Sequence, residues 1–474
     1  MSGNHHGSTW LGTSWIMLTD VVGTSVLTFA GVAKSLGWVL TITFIISLAP
    51  VGVYTAILMS RTGHVTKESQ GQRPSSMGEA ARMTLGGDKA AMAVYAMVYG
   101  FAWLGQSSYI LVLGKCLQGI LFHIELCLPI ATALSCLLCL PIAVSVRHLS
   151  DSVLLCFINL FLILAVLTIV MAKMYYVGRP AQVNTFAFAQ QMSFGSVFGA
   201  ASNVVYSYAG HWLYFELMAE MERPEQFPRV FLINVPIQVS LYLLVACWGY
   251  HFAGDKAEGY FLDNLPDGPA YRWASALLFL HVAIAFLVKN VVLARALHQK
   301  LAPSRVDVDL REPGGACAQM QFAGCVVLLL VSCWAVANSI PFFDDLLALI
   351  GSLLSGPISF IFPMAFIMGA IKTTQEGRSS VQGCQLSVVG DGLPDGERRA
   401  SDFIRHCHTV SGMLSRVDFL ACAIIASFIL LSMVLGTSGT IRQIGENIST
   451  YGLPFACQAR AHRSTSAAII ELVF

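Results

Sequence analysis

Residues 15–38 read WIMLTDVVGTSVLTFAGVAKSLGW, an apolar stretch long enough to cross a bilayer whose middle is ill suited to an unbroken helix. Gly23, Thr24 and Ser25 stand together near mid-span, with Asp20 about one turn earlier and Gly31 later. Glycine weakens a helix by about 1 kcal/mol, and Thr and Ser hydroxyls compete for backbone hydrogen bonds. The spacing therefore predicts that the helix opens around residues 22–25. In lipid, opened backbone is tolerated only where it lines a buried cavity or meets a ligand. The stretch is thus either a binding site or a close packing seam, since small residues are common where membrane helices cross.

The rest of the chain fits a membrane setting. Hydrophobic residues make up 55% of the 474 and charged residues 12%, against about 25% charged in a globular protein. Eleven stretches are candidate spans: 13–33, 37–60, 90–114, 124–145, 152–176, 195–217, 231–253, 272–297, 320–340, 344–371 and 417–436. This divides the chain into a short cytoplasmic tail (1–12), a transmembrane domain (13–436) and an extracytoplasmic C-terminal tail (437–474). No basic n-region or small-residue cleavage site precedes the first span, which would itself target the chain. Spans 1 and 2 meet in a tight connection around Leu36–Gly37, and SSMGEAARMTLGG at 75–87 reads as a short amphipathic helix. The sequence 147–151, RHLSD, reads as a turn that caps the start of span 5, and the tail after Cys457 is expected to be disordered.

Lysine and arginine choose the orientation. Of the 28, eighteen fall in segments that are inner if the N-terminus is cytoplasmic, nine fall in outer segments, and Lys289 lies inside span 8. The excess places the N-terminus inside and the sequon Asn447-Ile448-Ser449 in the outer tail. The net charge of +1 says nothing about partners, and no basic patch interleaved with aromatics suggests nucleic acid. The thirteen cysteines read as small buried hydrophobes rather than a disulfide framework. Cys136 and Cys139 form a CxxC, but in an apolar helix without further thiol or imidazole partners, so no metal site is expected.

Span 6 repeats the oddity of span 1. The run FGAASNVVYSYAGHWLYFELMAEM at 198–221 places Gly199, Ser202, Asn203, Ser207 and Gly210 around mid-membrane. A second interrupted helix five spans after the first is the pattern of an inverted repeat, spans 1–5 and 6–10, with the broken helices facing each other at the midplane.

These residues also carry a resemblance. VVGTSVLTFAGVAKSLGW, FGAASNVVYSYAGHWLYFELMAEMERPEQFPRV, NSIPFFDDLLALIGSLLSGPISFIFP and LGTSGTIRQIGENISTYGLPFAC resemble the marked segments of the amino acid/auxin permease family, within the amino acid, polyamine and organocation superfamily. The span 6 element ending in Gly210-His211, followed by an acidic, proline-containing loop, and the span 10 PFF…LIG…GP pattern are the specific parts. The resemblance implies an all-α fold similar to the bacterial leucine transporter, with eleven spans, ten of them in the repeat. It also implies secondary active transport of amino acids, usually driven by protons and in some branches by sodium, with no cofactor and no obligate protein partner. The membrane would be the plasma membrane or an endomembrane such as that of a vacuole. Two departures stand out: Ala30 replaces a usual proline after the span 1 break, and Asp20 replaces a small or hydroxyl residue. The first leaves the kink geometry open and the second the substrate class.

A zwitterion needs donors for its carboxylate and acceptors for its ammonium where water is scarce. An opened helix supplies both in its free N–H and C=O groups. Backbone at Val22, Gly23, Thr24 and Ser25 is expected to hold the substrate carboxylate. In span 6, backbone around Asn203 to Tyr206 and the side chains of Ser207 and Tyr208 would take the ammonium and shape the pocket. Asp20 has three readings, because a carboxylate in a membrane helix costs about 3 kcal/mol on insertion scales and is by default functional. It is a proton carrier, a counter-ion for a substrate amine, or a group near the inner water boundary. The counter-ion reading would favour cationic or amine-rich substrates. His211 is either a packing residue or a proton relay. Lys289, close to Arg295, reads as snorkelling toward cytoplasmic headgroups. Glu216 and Glu220, with Arg223 and Arg229 nearby, read as a solvated ion-pair cluster or an inner gate, and Asp344 and Asp345 as N-capping residues of span 10.

Other function classes fit less well. A nutrient sensor or transceptor on the same fold would usually add a long soluble domain, whereas the loop 372–416 is Gly-rich and polar. No HExxH or GxSxG supports an enzyme, and no ring of like residues supports a channel.

Overall fold

The computed structural model describes residues 7–147, 152–190, 192–306, 308, 313–386 and 416–457. The expected turn at 148–151, most of the loop 372–416 and the tail after Cys457 lie outside the described residues.

Backbone hydrogen bonds are satisfied almost wholly within helices, as a chain in hydrocarbon requires. There is no strand among the described residues beyond an isolated bridge between Ser8 and Met221. The helices are α1 (Trp10–Val21), α2 (Phe29–Gln70), α3 (Met77–Thr84), α4 (Asp88–Ile120), α5 (Leu128–Ser145), α6 (Ser152–Val177), α7 (Phe194–Ser207), α8 (Tyr214–Glu220), α9 (Phe231–Ala253), α10 (Pro269–Leu301), α11 (Gly315–Ser339), α12 (Phe343–Ile350), α13 (Phe362–Leu386) and α14 (Arg416–Tyr451).

Among the described residues nine helical stretches are long and apolar enough to cross a membrane, so the protein is an integral, multi-pass membrane protein. Nine differs from the eleven stretches read from sequence for two reasons visible in the backbone. Trp10–Gln70 runs as a single 61-residue stretch, although Gly37, at φ 79° and ψ 179°, interrupts α2. Residues 194–220 are divided between α7 and α8, each too short to cross alone. Gly37 needs its left-handed φ, and a Cβ there would lie 2.7 Å from the Ala187 carbonyl oxygen. The chain around Ala187 covers the break, accepting hydrogen bonds from the Trp38 and Val39 amides at Phe186 O (3.1 Å) and Ala187 O (3.0 Å).

Around this, α4 packs against α5, α10 and α11, while α2 packs against α9, and α7 against α14. A buried polar link ties α4 to α10, where Gln106 Nε2 donates to Asn290 Oδ1 at 3.2 Å. The helix expected near 75–87 is α3, capped by Ser76 Oγ accepting from the Glu79 amide at 3.2 Å.

Three sequence expectations are corrected here. Cys127 and Cys457 form a disulfide; nine other described cysteines are free, which matches the small-hydrophobe reading for them alone. Asp344 and Asp345 lie in the first turn of α12, where their charge suits the helix dipole, but neither caps it: the cap residue is Phe342, without a side-chain cap. Instead Asp345, 5% exposed, accepts from Asn447 Nδ2 at 2.6 Å, because α14 continues to Tyr451 and brings the two together. The sequon asparagine therefore sits in a helix with its amide engaged, not in an extended tail.

Candidate functional site

The first break follows the sequence closely. The last helical amide of α1 belongs to Val22, which donates to Leu18 O at 2.8 Å. Val22 then leaves helical geometry at φ −84°, ψ 65°, and Gly23 follows at φ −109°, ψ −149°. One tight 3₁₀ segment, Thr24–Thr28, joins α1 to α2. The amides at its start have no partner in the turn itself, so Thr24 and Ser25 present unpaired donors of a helix N-terminus.

The second break lies opposite. After Ser207 the chain passes through Tyr208, Ala209 and Gly210 into a short 3₁₀ turn, His211–Leu213, before α8 begins. Tyr242 of α9 joins the two. Its hydroxyl lies 2.7 Å from Ser207 O and 3.1 Å from Val21 O, within reach for its one proton to be donated to either freed carbonyl or shared between them, and Gln238 Nε2 adds a bond to Ser207 O at 3.2 Å. The ring stacks on Phe29 with centroids 4.5 Å apart. Replacing Tyr242 by Phe removes the donor and leaves a buried carbonyl unpaired, at about 1–3 kcal/mol. Tyr242→Phe is expected to lower the melting temperature of the detergent-solubilised protein; an unchanged melt would show that the hydroxyl bridges nothing of consequence.

Between the breaks is a small cavity of about 30 Å³. The first break contributes Asp20, Gly23, Thr24 and Ser25, and the second Tyr206, Ser207, Gly210 and Trp212. Helix α4 adds Phe101 and Tyr109, and α10 adds Lys289. Asp20 Oδ2 accepts from Trp212 Nε1 at 3.2 Å, so the carboxylate of one broken helix is held by the indole of the other.

Six of the ten residues singled out from sequence line this cavity: Asp20, Gly23, Thr24, Ser25, Tyr206 and Ser207. Four do not. Val22 is fully buried behind the turn, and Asn203 is buried on α7. The Tyr208 hydroxyl donates away from the site to Ile45 O at 2.8 Å. His211 Nε2 lies 3.1 Å from Gly52 O and 2.9 Å from Thr55 Oγ1, tying the second break to α2.

Lys289 corrects the sequence reading. It does not reach toward headgroups: the residue is 6% exposed, and Nζ sits 4.6 Å from the Tyr109 ring centroid and 5.6 Å from that of Trp212. Its position on one helix face with Leu278, Val282 and Phe286, at three- and four-residue spacing, was the signal that could have found it. The expected cluster of Glu216 and Glu220 with Arg223 and Arg229 does not form among the described residues; Arg73 pairs instead with Glu225. That pair borders a second cavity of about 360 Å³, between Arg61, His64 and Phe215. A hydrogen bond from its own backbone and the Arg73 guanidinium hold the Glu225 carboxyl below its ordinary value.

The family described as "Transmembrane amino acid transporter protein" matches residues 6–388. The chain belongs to this family. The match takes in both breaks and the cavity and ends before α14. Among curated relatives, the N amino acid transport system protein of Neurospora crassa is 27% identical over 175 residues, 37% of this chain and 36% of the relative. Amino acid transporter AVT1D of Arabidopsis thaliana is 24% identical over 377 residues, 75% of this chain and 63% of the relative. Amino acid transporter AVT6C of the same plant is 22% identical over 411 residues, 82% of this chain and 92% of the relative. The chain thus spans less than two thirds of the length of the first two transporters.

Proposed function

We propose that this protein is a secondary active transporter of amino acids that works by alternating access and is coupled to protons. The observation that carries the reading is the cavity enclosed by two opposed helix breaks, with unpaired amides at Thr24 and Ser25 on one side and a carboxylate, Asp20, beside them. Donors of a helix N-terminus suit the α-carboxylate of an amino acid, nearby backbone carbonyls suit its α-ammonium, and an adjacent acidic group suits a coupling proton. The named relatives are amino acid transporters, which supports the same substrate class for this chain.

The finer reading has eleven crossings, with α1 to α6 and α7 to α13 as the two inverted halves and α14 outside the repeat. The N-terminus is cytoplasmic in this reading, supported by the two-to-one bias of basic residues. The Cys127–Cys457 disulfide then lies on the outer side, where an oxidising compartment lets such bonds persist. Asp20 is the proton carrier. The titratable groups that feel it come from every neighbouring helix: Lys289, Tyr109, Tyr206, Tyr214, Tyr242 and Cys156. Among these, Lys289 alone brings an opposite charge.

Proteoliposomes containing the purified protein are expected to accumulate one or more members of a labelled amino acid panel when an inward pH gradient is imposed. Uptake driven by sodium and not by pH would overturn proton coupling, and no uptake of any amino acid under either gradient would overturn transport.

A further inference from the structure

We propose that Lys289 sets the substrate class: its ammonium receives the side-chain carboxylate of an acidic amino acid. This rests on the transporter reading above and deepens it.

The ammonium is out of bulk water and faces the cavity, ringed by the faces of Tyr109, Trp212 and Phe101 at 4.6, 5.6 and 6.0 Å. Cation–π contacts are weak beside the cost of desolvating an ammonium, even after relaxation. The rings alone do not offset the burial. Asp20 shares the cavity and acts on Lys289 electrostatically, yet among the described residues no carboxylate lies within 4.0 Å of Nζ. The lysine has a distant counter-charge and no bonded one, an arrangement completed by an anion placed in the cavity.

Gly105 of α4 backs the ammonium: a Cβ there would lie 3.5 Å from Nζ and 3.6 Å from the Tyr206 hydroxyl, ordinary contact distances. The α-groups of an amino acid have their own partners, the carboxylate at the amides of the first break and the ammonium at backbone carbonyls of the second. Lys289 stands on a different wall, on α10. The remaining negative group that a common amino acid can bring to it is a carboxylate on the side chain. A cationic side chain at the same place would meet a like charge at low dielectric, which is strongly unfavourable.

Charge bookkeeping points the same way. Lys289 and Asp20 together leave the empty cavity neutral, and an acidic amino acid adds one negative charge. One proton on Asp20 restores neutrality, so an acidic substrate and a proton would enter together without leaving a net buried charge.

The test is competition against uptake of a labelled amino acid from that panel in proteoliposomes, using glutamate, aspartate, glutamine, asparagine and arginine as competitors. The wild-type protein is expected to prefer glutamate and aspartate over their amides by about tenfold or more. Lys289→Gln should lose that preference, so that glutamine competes as well as glutamate in whatever uptake remains, and Lys289→Arg should keep part of it. A wild-type protein that prefers the amides or arginine overturns the inference alone, and this arm decides even if the glutamine variant fails to fold. So does a Lys289→Gln protein with an unaltered preference for acids. Absence of uptake of every amino acid overturns the transporter reading and this inference with it.

Discussion

Asp20→Asn is expected to abolish uptake driven by a pH gradient, by roughly 100-fold, equivalent to about 2.7 kcal/mol, while exchange of internal for external amino acid persists. The amide keeps the shape of the carboxylate and an oxygen able to accept from Trp212 Nε1, now 3.2 Å from Oδ2, so the link between the broken helices survives. What it removes is a group that can bind a proton and the negative charge facing Lys289. Net transport coupled to protons needs the site to cross in two protonation states, whereas exchange needs only the loaded form to cross. Loss of both activities would instead place Asp20 on the substrate ammonium. Retention of both would remove it from the mechanism.

The second large effect concerns a glycine packed against α7. Gly351 begins the wide-turned segment Gly351–Ser355 that follows α12, and a Cβ there would lie 2.0 Å from Ser202 O and 3.3 Å from Tyr206 Cβ. The first of these neighbours is backbone of α7 and cannot rotate aside. A methyl group in such a space forces backbone displacement, which costs about 1–3 kcal/mol and occasionally more. Gly351→Ala is therefore expected to lower the melting temperature in detergent clearly. Because α7 carries Tyr206 and Ser207 into the cavity, it should also reduce amino acid uptake in the protein that remains folded. An unchanged melt together with unchanged uptake would show that α7 shifts freely, contrary to its close packing.

These two positions also show where sequence reading stops. The break at residues 22–24 was legible because Gly, Thr and Ser in succession weaken a helix through local chemistry alone, and the second break through Ser207 and Gly210 for the same reason. Asp20 stood out as a charge in hydrocarbon. Lys289 was equally conspicuous but was placed by its distance along the chain from Arg295 rather than by the helix face it shares with Leu278 and Phe286. Tyr242 gave no signal, since a tyrosine in an apolar helix has no pattern until the two carbonyls it serves are brought together. Tyr208 and His211 sit in the right segment, but helical spacing does not tell which polar groups turn inward and which bind α2. The pairing of Asp345 with Asn447 and that of Cys127 with Cys457 join residues far apart in the chain, so only the packing of α14 reveals them.

The bond between Cys127 and Cys457 has a consequence of another kind. It closes 330 residues of sequence separation into a covalent ring, from just before α5 round to the end of the described chain, with α5 to α14 inside it. A protease that cuts any connection within that ring, such as the one between α13 and α14, leaves both fragments on one molecule. They come apart only when the sulfurs are reduced, and until then the last helix stays moored beside α5.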